Sequence, residues 1–198
     1  AVMSMTGHTP TNTPADIAFV WIDHFRAAIT STDADAGVDL TDLFHLDSFW
    51  RDALGLSWAL STHQGLSEIC PALASAASAA GINSIALDKT ATPPKMVTRA
   101  GIETLEAFFV FKTSTARCCG IVRLCPVSKN TNSANAGIWR AWTFFTAMDE
   151  IIGHEEAIGR KRPTGQTYSR DFRGPNWLDK RLAAASYDTH NPDVLVIG

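Results

Sequence analysis

The sequence predicts an α+β fold in which helices come first and an antiparallel sheet follows. Apolar residues in the first part of the chain recur at every third or fourth position, which is the period of an amphipathic helix. From Asn83 to Met148 the pattern becomes extended and rich in Phe, Val, Ile and Trp, which is typical of strands. Helices grouped before a run of strands favour a sheet that curls over those helices.

Three helices are predicted. Thr13 can cap the first helix and Pro14 fits its first position. The apolar stripe of this helix comprises Ile17, Val20, Trp21, Phe25, Ala28 and Ile29. A second, shorter helix would place Leu40, Leu43, Phe44 and Leu46 on one face. Gly65 opens a third helix that Gly81 should close. Pro71 inside it predicts a kink or a later start, because proline removes a backbone hydrogen bond.

Four strands are predicted in the second half of the chain, at residues 84–90, 104–113, 117–126 and 138–148. An extended segment, residues 47–52, is expected to follow the second helix. Along the second strand one face is purely apolar and the other is mixed. The apolar face consists of Leu105, Ala107, Phe109 and Phe111. We therefore expect this face to cover the core.

The chain is expected to form one domain with an extension. Its 198 residues, of which 45% are apolar, suffice for one well-buried core. Residues 1–13 are a polar leader, residues 14–152 form the main domain, and residues 153–198 form a basic arm with a helical stretch from Asn176. We expect the arm to wrap over the main domain. The low-charge run at residues 194–197 should be covered by that domain or by the second subunit of a homodimer.

Charge and hydropathy argue against several classes of partner. The formal net charge of −3 reveals no excess of Lys and Arg, so nucleic acid is not an expected partner. No apolar run reaches the roughly 18 residues that span a bilayer, and the N-terminus lacks a signal pattern. We expect a soluble, cytoplasmic protein with no membrane contact. The four cysteines form no metal-ligand pattern, so no metal is expected and they are predicted to be reduced core thiols: Cys70, Cys118, Cys119 and Cys125.

Helix, turn, helix, and then the string DSFWRD before a glycine resembles the nuclear transport factor 2-like (SnoaL-like) superfamily, which includes ketosteroid isomerase and scytalone dehydratase. The resemblance implies a cone of three helices on a curved sheet, enclosing an apolar pocket for a hydrophobic small molecule. A closer resemblance, over residues 15–198, is to the N-terminal region of fungal flavin-dependent monooxygenases. It is carried in order by LFHLDSFWRDALGLSW, WTFFTAMDEIIGHEE, RPTG, GPNWLDKR and NPDVLVIG.

The second resemblance has a consequence for cofactor binding. In those flavoproteins a strand like residues 193–197 continues into the glycine-rich loop G-x-G-x-x-G, which holds the FAD pyrophosphate. Here the sequence ends at Gly198, the first glycine of that pattern, so we expect neither FAD nor another cofactor to bind. The chain is then a piece of a larger flavoprotein or a stand-alone protein. The second interpretation is favoured, because a domain cut would fall more naturally near Gly153 or Pro192.

Asp52 is the first candidate for chemistry, because its position resembles that of the general base of ketosteroid isomerase. A carboxylate that faces an apolar pocket is desolvated and becomes a better proton acceptor. The alternative is that Asp52 pairs with Arg51 or caps a turn. The family's oxyanion tyrosine has no match, since Phe25 stands in the equivalent region.

Two histidines and several pocket-lining residues complete the candidate site. His24 and His63 could each act as acid or base, because imidazole titrates near neutral pH; the alternative for both is a surface or core position. The residues predicted to bind substrate are Trp21, Phe25, Trp58, Glu106 and Trp142. The alternative for the aromatic residues is core packing, and for Glu106 it is an outward position.

These features predict two alternative functions. The first is a cofactor-independent isomerase, cyclase or dehydratase of fungal secondary metabolism, with Asp52 as base and a histidine as proton donor. The second is a non-catalytic binding or docking domain, the N-terminal part of a flavin-dependent monooxygenase.

Overall fold

The computed structural model describes residues 13–30, 38–127, 138–162, 173–187 and 191. The chain divides into two compact units, Ala1–Glu155 and Glu156–Gly198. The described helices of the first unit are α1 (Pro14–Thr30), α2 (Leu40–Leu43) and α3 (Leu66–Ala80). Its strands are β1 (Phe44–Ala53), β2 (Leu60–Gln64), β3 (Ser84–Leu87), β4 (Lys95–Arg99), β5 (Ile102–Lys112), β6 (Ala116–Pro126) and β7 (Trp139–Ile151). No helix within these ranges is long and apolar enough to cross a membrane.

Helix α1 begins where the sequence predicts. The hydroxyl of Thr13 accepts a hydrogen bond from the Asp16 amide at 3.3 Å, which satisfies one of the unpaired N–H groups of the first turn. The buried stripe shares Trp21 and Phe25 with the predicted one but differs at other positions. It consists of Ala18, Trp21, Ile22 and Phe25, whereas Val20 is 48% exposed.

The predicted second helix is too long, because α2 has four residues and Phe44 already starts β1. Asp39 caps α2 by accepting the Thr41 amide at 2.9 Å. Phe44 is fully buried, but Leu46 lies in the extended chain and is 81% exposed. The apolar pattern of LTDLFHL is therefore divided between one helical turn and a strand.

The predicted limits of α3 are confirmed. Gly65 precedes it with φ 74°, and Gly81 closes it in the left-handed conformation, φ 63°, which glycine adopts without strain. Pro71 lies in the second turn, so the predicted later start is wrong. Because Pro71 has no N–H, the Ser67 carbonyl receives no helical hydrogen bond from it. Both residues are exposed, so water can solvate this carbonyl instead.

The sheet has the strand order β2-β1-β7-β6-β5-β3, and β4 also pairs with β5. The predicted antiparallel run is present in β5, β6 and β7, but β1 joins β7 in parallel. The register shifts in the β1–β7 and β6–β7 ladders, and such bulges bend a sheet. The sequence did not predict β2 and β4, because LSTHQ and KMVTR are short and polar.

Aromatic side chains fill the space between the helices and the sheet. The predicted apolar face of β5 is buried, at 3% exposure or less for each residue. Ring centroids lie 5.0–6.4 Å apart within a cluster formed by Trp21, Phe25, Phe44, Phe109 and Phe144. Gly120 is required beneath it, because a Cβ there would overlap the Phe109 ring. The predicted α+β class, with three helices packed on a curved sheet, is confirmed.

The second unit contains a 3₁₀ turn (Gly159–Lys161) and the helix α4 (Trp177–Ser186) among its described residues. Asn176 and Asp179 form a capping box, so the helical stretch begins where the sequence predicts. Arg181 lies 5.2 Å over the Trp177 ring. The wrapping of the arm stays a prediction, and residues 194–197 lie outside the described ranges.

Candidate functional site

A cleft of about 470 Å³ lies between α3 and the part of the sheet formed by β1 and β2. One wall is the small-residue side of α3, which includes Ala72, Ala76 and Ala80. Opposite it lie residues 54–58, the loop after β1. Two side chains of β2, Ser61 and His63, line the cleft beside this loop. The volume falls within the usual range of small-molecule sites, roughly 300–1,000 Å³.

His63 is the one titratable side chain that lines this cleft within the described part of the chain. Its ring is half-buried and stacks on the Trp50 indole, with 5.0 Å between centroids and 20° between planes. Neither ring nitrogen has a hydrogen-bond partner among the described residues. Both nitrogens are therefore available to a bound molecule. The predicted catalytic role of His63 remains a prediction.

Ser61 lies two residues before His63, and side chains two apart on a strand share one face. Its hydroxyl is half-buried and has no hydrogen-bond partner in the described ranges. A hydroxyl group and an imidazole thus lie side by side along one wall of the cleft. Sequence reasoning missed Ser61, because a serine in a short polar strand carries no signal of its own.

Asp52 is fully buried and does not line the cleft. Its Oδ1 accepts hydrogen bonds from the amides of Gly55 (3.1 Å) and Leu56 (3.1 Å) and from the Thr146 hydroxyl (2.6 Å). Its Oδ2 accepts from the Leu56 amide (3.2 Å) and from the amide and hydroxyl of Ser57 (2.8 and 2.7 Å). A carboxylate offers about four lone-pair sites, and these contacts occupy them. The geometry matches the turn-capping alternative, and Arg51 bonds Thr62 instead of Asp52.

The loop at residues 54–59 folds back because its backbone permits a tight turn. Leu54 has φ 64°, a left-handed conformation that costs energy for any residue other than glycine. Gly55 then passes close to β7, where a Cβ would lie 2.9 Å from the Ala147 nitrogen and 3.1 Å from Asp52 Oδ1. The amides of this loop consequently converge on the Asp52 carboxylate.

The other predicted site residues are dispersed. Trp58 lines the cleft and is 71% exposed. Trp21 and Phe25 are buried in the aromatic cluster, which corrects their predicted role in lining the pocket, because core packing leaves no face open. His24 is exposed on α1 and Trp142 is half-buried on β7, and neither lines this cleft.

Glu106 lies on the face of β5 opposite that of Leu105 and Ala107, and it is 5% exposed. Arg123 and Arg99 approach its carboxylate at 2.8 and 3.2 Å. Burial raises the pKa of Glu106, but the hydrogen bonds from Arg123 and Arg99 outweigh it and leave the pKa below its usual value. Glu106 is therefore a member of an ion-pair cluster, and its predicted contact with substrate is corrected.

Cys118 is buried on the inner side of β6, and its thiol donates to the Gly55 carbonyl at 3.5 Å. Burial raises the pKa of Cys118 to about 12, with smaller contributions from the charges of Cys119, Asp52 and Asp149. Only the thiolate is a nucleophile, so Cys118 is not one. Of the four cysteines, Cys118 and Cys125 are buried and Cys70 and Cys119 are half-buried, and no disulfide joins them in the described ranges.

A second cleft of about 500 Å³ is lined partly by β3. Its lining includes charged side chains, namely Asp88, Lys112, Arg117 and Asp149. Because burial of these charges is costly, this cleft suits an apolar molecule less well than the cleft at His63.

Comparisons with known proteins add little to this geometry. No protein-family model and no characterised protein sequence matches the chain. Among solved structures, the chain is similar to a steroid delta-isomerase from Pseudomonas aeruginosa, with TM-score 0.39 and 14% identity over 73% of this chain and 85% of that one. It is also similar to a protein from work on the de novo design of diverse pocket structures, with TM-score 0.37 and 10% identity over 68% and 96% of the two chains. At these scores the fold class rests on the strand pairing and helix packing described above.

Proposed function

We propose that the cleft at His63 binds an apolar carbonyl compound and that the protein is a cofactor-independent acid–base enzyme of the isomerase type. The observation that supports this most is the lining of the cleft, in which His63 is the one titratable group among the described residues. Alanine, leucine, tryptophan and methionine side chains form most of the remaining lining and suit a hydrophobic molecule. Five further hydroxyl side chains also line the cleft: Ser57, Ser75, Thr113, Ser114 and Thr115.

The chemistry requires one proton-transfer group and one donor. His63 would remove a proton from the carbon beside the carbonyl and return it to a carbon further along the conjugated system. One proton leaves and one returns, so a single histidine suffices. The Ser61 hydroxyl would donate to the carbonyl oxygen, which becomes negative in the enolate. Isomerisation is proposed among the three predicted reaction types because the same histidine returns the proton that it removes.

A panel of β,γ-unsaturated ketones, including steroid ketones, tests the proposal. Their conversion to conjugated isomers raises the ultraviolet absorbance, and Trp50 and Trp58 fluorescence reports binding. His63→Gln should lower turnover by roughly 100-fold or more, the usual range for loss of an acid–base group. His24→Gln is the matched control, because His24 is exposed on α1, and its turnover should equal that of the wild type.

Two results would contradict the enzyme proposal. Full turnover by His63→Gln would remove the histidine from the reaction. Binding of the panel without turnover would favour the alternative, a non-catalytic binding domain of a flavin-dependent monooxygenase.

A further inference from the structure

We propose that Asp52, Thr146 and Trp50 form a positioning network that fixes the plane of the His63 imidazole in the cleft. The role rests on the proposed function, because positioning matters only if His63 moves a proton. Asp52 would then act on the site from behind the cleft wall, through two intermediate side chains, and not as the base itself.

Three contacts connect the network. The Thr146 hydroxyl donates to Asp52 Oδ1 at 2.6 Å, and the Trp50 indole Nε1 donates to the Thr146 oxygen at 3.0 Å. The direction of both bonds is fixed, because an indole N–H only donates and every other contact of the Asp52 carboxylate is a donor directed at it. The face of the same indole carries the His63 ring, 5.0 Å away.

Burial makes this arrangement rigid. Asp52, Thr146 and Trp50 are each at most 1% exposed. Rotation of the indole would leave its N–H unpaired in the core, which is unfavourable. Trp50 and His63 are also direct partners in the β1–β2 register, so their backbones hold the two rings opposite each other.

His63 depends on this stack for its orientation. Its nitrogens have no partner within the described ranges, so no hydrogen bond fixes the ring. Loss of the Thr146 hydroxyl removes the hydrogen bond that favours this plane of the indole, so the buried ring can tilt and the imidazole stacked on it samples other orientations. Thr146 and Asp52 do not line the cleft, so the affinity for an apolar molecule should change little while proton transfer slows.

The test compares Thr146→Val with Thr146→Ser, which restores the hydroxyl. Thr143→Val is the matched control, since Thr143 lies on the same strand with its side chain on the other face. The readout is the NMR shift of the His63 ring protons, which the Trp50 face displaces upfield. We expect this displacement to be lost in Thr146→Val and retained in Thr146→Ser and Thr143→Val. In the ketone assay, kcat should fall on the order of 10-fold in Thr146→Val with KM unchanged.

Unchanged His63 proton shifts in folded Thr146→Val would overturn the proposal, as would a change in KM alone. If Thr146→Val does not fold, Thr146→Ala removes the hydroxyl with less crowding, and the same shifts decide. The NMR readout needs no substrate. Absence of turnover in the wild type would therefore count against the proposed function and leave the positioning result intact.

Discussion

At the scale of single residues, the Asp52 carboxylate is a fully buried acidic group. It lies near the C-terminal end of β1, and its resemblance to a general-base position made it the first candidate for chemistry. The folded chain surrounds it with the amides of Gly55, Leu56 and Ser57. These contacts match the turn-capping alternative, and the catalytic role of Asp52 stays a prediction.

Asp52→Asn separates the two roles. The amide group would direct N–H atoms at the donors of residues 55–57, so we expect a loss of about 2–4 kcal/mol in the free energy of unfolding, as when a buried charged partner is removed. Urea unfolding measures the loss, and Asp47→Asn, on the exposed part of β1, is the control. Wild-type stability with abolished turnover would instead identify Asp52 as the base.

Cys118 gives a second prediction at this scale. With a pKa of about 12, its thiol carries almost no thiolate near neutral pH. We expect iodoacetamide to leave Cys118 unmodified in the native protein and to modify it in urea, as followed by mass spectrometry. Rapid native alkylation of Cys118 would contradict its burial beneath the Gly55 loop.

At the scale of elements, neighbouring strands are joined on the outer face of the sheet by one ion-pair cluster. Glu106 on β5 lies directly opposite Lys95 on β4 and Arg123 on β6 in the strand register. The carboxylate bonds Arg123 and Arg99, and its pKa is lowered in the folded protein. The cluster should therefore make the pairing of these three strands sensitive to acid.

The sign of this effect follows from the lowered pKa. A carboxyl group that ionises more readily when folded stabilises the protein above its unfolded pKa, about 4.3 for Glu. That contribution is lost as the pH falls through the folded value. Urea unfolding from about pH 6 to pH 3 should show a smaller pH dependence in Glu106→Gln than in the wild type. Glu103→Gln, at an exposed position of β5, is the control, and equal slopes in all three proteins would refute the prediction.

Elements with strong periodicity were predictable and the others were not. The apolar period and the flanking glycines of α3, and the alternation in β5, mark these elements in the sequence. By contrast, β2 is a five-residue polar strand that becomes a strand only by pairing with β1. The same holds for the candidate site. His63 could be predicted as a candidate because histidine titrates near neutral pH, whereas the position of Ser61 and the Trp50–Thr146 contact depend on tertiary packing.

At the scale of the main unit, the aromatic cluster fills the central space between the helices and the sheet, so we expect a ligand to bind outside it. Trp21, Phe25 and Phe144 occupy the centre between helices and sheet, where the resemblance implied a pocket. The cleft lies instead to the side, between the alanine face of α3 and β2. We therefore expect an apolar carbonyl compound to bind beside His63 and Ser61.

NMR titration of the histidine ring protons with a conjugated cyclic ketone, the product of the proposed reaction, tests this claim most directly. His63→Gln assigns the His63 signals, and His24 serves as the internal reference on the exposed side of α1. We predict saturable shifts of the His63 protons with no change at His24, and weaker binding in Ser61→Ala. Ketone binding that leaves the His63 signals unmoved, or no binding up to the solubility limit of the ketones, would contradict the account.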